Sequence, residues 1–253
     1  MTYLLRPDWG AEQPRHRTLM NASPKGIALH WVGARISESR QPAEVARSIQ
    51  RYHQRTRGWS DVAYQEMIAL DGTVLEGRGF GIRSAANGGR WLNSKYGAIC
   101  LLMGPGQDPS DAMIEQTRNR IDAWRKRYPR ATRIVGHGDL KKTSCPGDEI
   151  RDLITRGVFD PGNPPPGELP SPNPTSGYPV PTEILRRGNK GNDVKWLQHQ
   201  LNSHGFNLAI DGDFGWLTWR ACRTYQRRQK GALVVDGIAG PKTISSLIAG
   251  ALS

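Results

Sequence analysis

Residues 136–148, GHGDLKKTSCPGD, place His137 and Cys145 eight positions apart. No apolar period runs through the stretch, so it reads as a loop rather than a strand or helix. The chain has three cysteines, and only this one stands in polar surroundings. Cys100 lies in the apolar run GAICLLMG, and Cys222 sits at a helical interval from apolar neighbours in TWRACRTYQ, so both read as packed thiols. A thiol and an imidazole in one polar loop suggest a metal, and a metal needs ligands from elsewhere. Of the six histidines, His16 lies in a polar stretch without a partner, while His199 and His204 are expected on the surface of a small helical region. His53 fits either a helix face lining a cleft or a packed position. His30 differs, because it interrupts the apolar strand GIALHWV. His30, His137 and Cys145, with no fourth candidate, match the ligand number of a catalytic zinc. Three protein ligands leave one tetrahedral position for water, whereas structural sites fill all four. One thiolate and two neutral rings would give the site a net charge of about +1, and a water bound there would have a pKa of about 7.

The scaffold for these residues is readable in outline. Residues 26–32 predict a buried strand, 42–56 an amphipathic helix, and 62–70 with TVLEG two strands joined by the Asp71-Gly72 turn. Residues 97–104 predict another buried strand. Ser110 can cap a long helix that runs to about Tyr128, just before Pro129, and 132–137 form a last strand leading into the opening loop. Strands mixed with helices imply an α/β domain, a mixed central sheet flanked by helices. Residues 160–181 then hold nine prolines in 22 positions and predict an extended, semi-stiff linker. The chain thus divides into 1–159, the linker 160–181, and 182–253. The last part carries a repeat, D-G-x-x-G-x-x-T, at 211–218 and 236–243. With the helical pattern of 192–205 it predicts a small all-α domain of three helices. Val194, Leu197 and Leu201 share one apolar face, and Leu217, Ala221 and Tyr225 another.

Composition narrows the setting. The 253 residues are 37% apolar with eight Trp, enough for a real core. No apolar run approaches a membrane span, so membrane insertion is not expected. The N-terminus lacks a basic start followed by an apolar h-region, and sparse cysteines point to synthesis in a reducing compartment. The formal net charge is +12, of which about +9 falls in residues 1–159. Such a chain favours polyanions, whether nucleic acid or an acidic cell wall.

The motifs LHW at His30, RGWSDVAYQ leading to Tyr64, LDGTVLEGRGF at 70–80 and GHGDLKKTSCPGD occur in order. From about Pro7 to Phe159 the chain resembles the zinc amidases shared by phage lysins, bacterial autolysins and animal peptidoglycan-recognition proteins. Residues 183–253, with LRRGNKGNDVKWLQHQLNSHGF, DGDFGWLTWRACRTYQ and DGIAGPKT, resemble the peptidoglycan-binding module found beside many wall hydrolases. The first resemblance implies the zinc amidase fold, zinc ligands at His30, His137 and Cys145, and a catalytic tyrosine at Tyr64. It also implies a second catalytic position at Thr143, where phage members often have lysine. A hydroxyl there can donate to an oxyanion but brings no charge, and the adjacent Lys142 is an alternative. Asn93 matches an asparagine that recurs in the family's binding groove; Trp59 and His53 complete the substrate-binding set. The loop 83–93 reads as groove or as surface turn, and Asp148 as a helix cap rather than a ligand.

The function these features imply is an N-acetylmuramoyl-L-alanine amidase, a monomeric endolysin whose C-terminal domain anchors it to peptidoglycan. Without a signal peptide it would be made in the host cytoplasm and reach the wall after membrane permeabilisation. A protein that recognises peptidoglycan without cutting it is the main rival class. In the family that outcome usually accompanies loss of the cysteine ligand, and here Cys145 is present. A nuclease is suggested only by charge and lacks a carboxylate cluster suited to magnesium, so no nucleic-acid partner is expected. A glycosidase would need an acid pair in a cleft, and no pair stands out.

Overall fold

The computed structural model describes residues 2–20, 23–37, 39–155, 157–163, 177–229 and 231–250. It divides into two compact units, Met1–Asn163 and Pro164–Ser253. Residues 164–176, the greater part of the expected Pro-rich linker, lie outside the described residues.

The first unit is built on six strands: β1 (Tyr3–Leu4), β2 (Gly26–Trp31), β3 (Glu66–Ile68), β4 (Val74–Glu76), β5 (Tyr96–Leu101) and β6 (Arg133–Gly136). Their order is β1-β4-β3-β5-β2-β6. Among the described strands, β3 and β4 pair antiparallel, across the turn at Asp71-Gly72, and the remaining strand pairings are parallel. The near-unbroken apolar run of β5 has its cause here. A central parallel strand is covered on both faces, so it cannot alternate, and all six of its residues are buried. Helices α1 (Pro42–Arg51) and α3 (Asp111–Arg127) contribute apolar stripes. Each fully buried aliphatic side chain stabilises the unit by about 1.5–3 kcal/mol. Pro42 opens α1, where its missing N–H costs nothing. Ser110 caps α3 by accepting from the Met113 N–H at 3.0 Å, as expected. The predicted helix 42–56 leaves α-geometry early: Tyr52–Thr56 form a π-helical turn, which carries His53. Glu66, buried at the start of β3, accepts from Arg120 Nε at 2.7 Å, Trp124 Nε1 at 3.0 Å and the Tyr3 hydroxyl at 3.2 Å. This network fastens α3 to the sheet and ties β1 to β3.

Two segments are more regular than their composition implies. The stretch after β6 begins with a helical turn, α4 (His137–Leu140), because the Asp139 carboxylate accepts from the Gly136 N–H at 2.7 Å and caps it. The loop 83–93 runs into α2 (Arg90–Lys95). Helix α5 (Asp148–Thr155) closes the site side of the unit.

The second unit holds α6 (Asn192–Ser203), α7 (Trp216–Arg228) and α8 (Pro241–Gly250) around a core that includes Val194, Leu197, Leu201, Phe214, Ala221, Tyr225 and Leu247. The sequence repeat is a structural repeat. In the first copy Gln198 Nε2 donates to Asp211 Oδ1 and Thr218 Oγ1, and its Oε1 accepts the Gly212 N–H. In the second, Gln226 makes the same three bonds with Asp236, Thr243 and Gly237. Each Asp-Gly turn therefore wraps one buried glutamine from the preceding helix. His199, expected on the surface, is instead buried in α6, since it falls on the inward face beside Gln198.

Candidate metal centre and substrate cleft

The register of the parallel sheet brings the two histidines together. Leu29 pairs with Gly136 on the neighbouring strands β2 and β6. His30 and His137 each follow one residue later at the carboxyl edge, where open α/β sheets present ligand sites. Their ring centroids are 4.6 Å apart. Cys145 arrives from the loop between α4 and α5. That loop is held by Gly138 N–H to the Cys145 carbonyl at 2.8 Å and by Arg151 to the Thr143 carbonyl at 2.8 Å. The Trp31 N–H points at Cys145 Sγ, 3.4 Å away.

One donor atom from each of His30, His137 and Cys145 lies within 4.8 Å of the others. A tetrahedral zinc with bonds of about 2.05 Å to nitrogen and 2.3 Å to sulfur would separate those two atoms by roughly 3.6 Å. His30 Nδ1 and Cys145 Sγ are 3.8 Å apart. His137 Nε2 is buried with no hydrogen-bond partner among the described residues. Burial, reinforced by His137, pushes the His30 pKa down to about 3. Burial, with Lys141 nearby, lowers His137 as well. Both rings are therefore neutral at ordinary pH, as ligands must be. Burial raises the Cys145 thiol to about 11 against the opposing Trp31 N–H and Arg151, so a cation bound there must displace a proton. The set fits zinc.

An open cleft of about 310 Å³ lies over this cluster, lined by all three residues together with Trp31, His53, Trp59, Tyr64, Ala86 and Thr143, among others. Tyr64 sits just before β3, its ring 5.4 Å from that of His30, and the thiols of Cys100 and Cys145 both lie near it. Burial, then the two neighbouring thiols, raises its pKa well above normal, so it stays a phenol. His53 stacks on Trp59 at 4.8 Å and meets the edge of Tyr64 at 5.8 Å. Its Nδ1 accepts the Ala63 N–H at 3.2 Å. Burial, with Arg78 and Arg57 close by, holds its pKa down at about 4. Thr143 is exposed at the rim, with Oγ1 accepting the Cys145 N–H at 3.3 Å. Lys142 does not line the cleft.

Asn93 and Asp148 stand apart from the His-His-Cys cluster. Asn93, within α2, accepts through Oδ1 from the Asn87 N–H at 2.7 Å and from Ser84 Oγ at 3.2 Å, both in the loop before that helix. Asp148 is solvent-exposed at the head of α5 and pairs with Arg151 at 3.0 Å. Asn87, unmarked by any sequence motif, is fully buried and its Oδ1 lies 2.8 Å from His30 Nε2. Nothing in RSAANGG distinguishes it from a turn asparagine; the contact spans 57 positions.

A mixed sheet with a His-His-Cys cluster at its carboxyl edge, joined to a three-helix unit, has the architecture of a zinc-amidase fold with an accessory module. The chain belongs to the N-acetylmuramoyl-L-alanine amidase family, whose model matches residues 20–148; a peptidoglycan binding domain matches residues 190–247. It is similar to human (Homo sapiens) N-acetylmuramoyl-L-alanine amidase, 32% identical over 154 residues, which are 58% of this chain and 26% of the human protein. Mouse (Mus musculus) peptidoglycan recognition protein 1 is 31% identical over 130 residues, covering 51% of this chain and 71% of that protein. Among solved structures, wild-type Drosophila PGRP-LB superposes with a TM-score of 0.56 at 26% identity, covering 62% of this chain and 95% of that one.

Proposed function

We propose that this chain hydrolyses the amide bond between N-acetylmuramic acid and L-alanine in bacterial peptidoglycan. The observation that carries the reading is the complete three-donor cluster, His30, His137 and Cys145, at the floor of an open cleft. Zinc held by these residues would supply a Lewis acid for the amide carbonyl and activate a water near neutral pH. The chain's own groups then divide the remaining work. The two histidines remain neutral ligands because burial disfavours their protonation. Tyr64, kept a neutral phenol by burial, supplies a hydrogen-bond donor for the developing oxyanion. Thr143 offers a second, uncharged donor from the rim, and Trp59 with His53 forms one wall against which the substrate packs. The second unit retains the enzyme on the wall and raises its local concentration there.

The cellular setting we propose is lysis from within, by an endolysin made in the cytoplasm of a phage-infected host. Its support is the pairing of a family catalytic unit with a wall-binding unit, and three cysteines that are all free thiols. Mass spectrometry of digested walls tests the chemistry. Free stem peptides with a new L-alanine amino end are expected; intact walls after digestion with zinc-loaded protein would leave a recognition protein, and new reducing sugar ends would mean a glycosidase. Expression inside bacteria tests the setting: lysis should follow only when the membrane is permeabilised.

A further inference from the structure

We infer that Asn87 is a positioning residue for the metal centre, and that its carboxamide fixes the tautomer in which His30 presents Nδ1 as a ligand. Asn93 is the support that holds Asn87 in place. The inference rests on the zinc reading above.

The carbonyls around Asn87 fix which way its amide faces. Its nitrogen lies 2.9 Å from the Tyr96 carbonyl and 3.5 Å from the Leu92 carbonyl, with Ser84 Oγ at 3.3 Å. Carbonyl oxygens only accept, so the NH₂ group must point at them. That leaves Oδ1 facing His30 Nε2 at 2.8 Å. An amide oxygen also only accepts, so His30 must carry its proton on Nε2. In a neutral ring the lone pair is then on Nδ1, the atom 3.8 Å from Cys145 Sγ. With the opposite tautomer, two acceptors would face each other in a fully buried place, at a cost of about 1–3 kcal/mol. Ligating histidines commonly hand their second N–H to a carbonyl or carboxylate, and removing such a partner typically weakens metal binding 10- to 100-fold.

The asparagine is itself held from behind. Its backbone N–H donates to Asn93 Oδ1 at 2.7 Å, and the same oxygen takes the Ser84 hydroxyl at 3.2 Å. Gly88, at φ +93°, lets the next residue turn where any Cβ would strike the Lys141 side chain at 2.5 Å. Asn93, expected from the resemblance to contact substrate, thus acts at two removes from the ligand through the loop 84–87.

Zinc affinity measured by competition with a chromophoric chelator tests the assignment, with thermal melting of the metal-free proteins alongside. Asn87→Leu should weaken zinc binding 10- to 100-fold. Asn87→Asp keeps an acceptor opposite Nε2 and should bind within about threefold of wild type or tighter, even if its melting point falls as far as that of Asn87→Leu. Asn93→Leu should weaken binding in the same direction and by less. Equal losses in Asn87→Leu and Asn87→Asp would reduce Asn87 to a loop residue and overturn the proposal, as would wild-type affinity in Asn87→Leu. Where a variant does not fold, the wild-type chain answers directly: long-range ¹H–¹⁵N spectra of the metal-free protein should show His30 protonated at Nε2, and an Nδ1–H form would overturn it. Failure of the zinc reading looks different. Wild type would then bind no more zinc than Cys145→Ser, while the His30 tautomer would still be readable.

Discussion

Acidification should loosen the first unit through His53 by an amount that can be worked out. A free histidine has a pKa near 6.5, and burial beside Arg78 and Arg57 holds His53 at about 4. The unfolded chain therefore binds a proton that the native ring refuses. Stability from this residue is fully present above about pH 6.5 and is lost as pH falls toward 4. Integrating between those values, the drop from pH 7 to pH 5 is about 2 kcal/mol, a factor of roughly 20 to 30 in the opening equilibrium. The structure supplies the physical reason: protonating Nδ1 would destroy the bond from the Ala63 N–H and place a cation among arginines. Hydrogen exchange of the β2 and β5 amides reports opening of this unit separately from the other. It should be measured at pH 7, 6 and 5 with chelator present, so that metal linkage does not enter. His30 and His137 shift in the same direction, so the quantity to follow is the difference between wild type and His53→Gln. The variant should lose roughly 20-fold less protection than wild type across that interval. An identical pH dependence in the two proteins would refute the assignment.

Three further outcomes are expected. Tyr64→Phe should keep its zinc and melting point but lose roughly 10²-fold in kcat on muropeptides, the scale of a positioned proton donor; an unchanged kcat would make the hydroxyl purely structural. Gly147→Ala should destabilise the first unit by about 2–4 kcal/mol, because the residue sits at φ +88° and a Cβ would lie 2.5 Å from the Trp31 ring. Melting in the presence of chelator, followed by zinc content, checks this. Gln226→Leu should cost the second unit about 3 kcal/mol by stranding its buried partners around Asp236, Gly237 and Thr243. Sedimentation with walls should then fall while cleavage of soluble muropeptides is unaffected.

How far such behaviour can be read from the chain depends on how locally it is encoded. Ser110, the Asp71-Gly72 turn and the unbroken apolar run of β5 announce themselves because capping, turn geometry and two-sided burial act within a few residues. The candidate metal ligands are legible for another reason: a histidine inside an apolar strand and a cysteine inside a polar loop are each in the wrong company for their type. The strand expected over 62–70 is shorter in the fold, since only Glu66–Ile68 joins the ladder while Ala63 and Tyr64 line the cleft. The repeat in the second unit was visible as D-G-x-x-G-x-x-T, but its purpose was not. The glutamine each copy encloses precedes its Asp by 13 residues in one case and 10 in the other.

Asn87 marks the far end of this scale. Its sequence neighbourhood says turn, and the residue is in a turn; its chemistry comes from a strand 57 positions away. The same holds for Asn93, whose type suits a groove as well as it suits a loop bracket, and whose side-chain oxygen the fold turns inward. A carboxamide has one accepting and one donating end, so its role is set by which carbonyls happen to surround it. Those carbonyls are placed by the packing of α2 against β5 and of β5 against β2, and no local pattern specifies that packing. Residues that touch a metal carry their chemistry in their type. Residues that orient a ligand carry theirs in the company the fold provides, and only the assembled sheet can supply it.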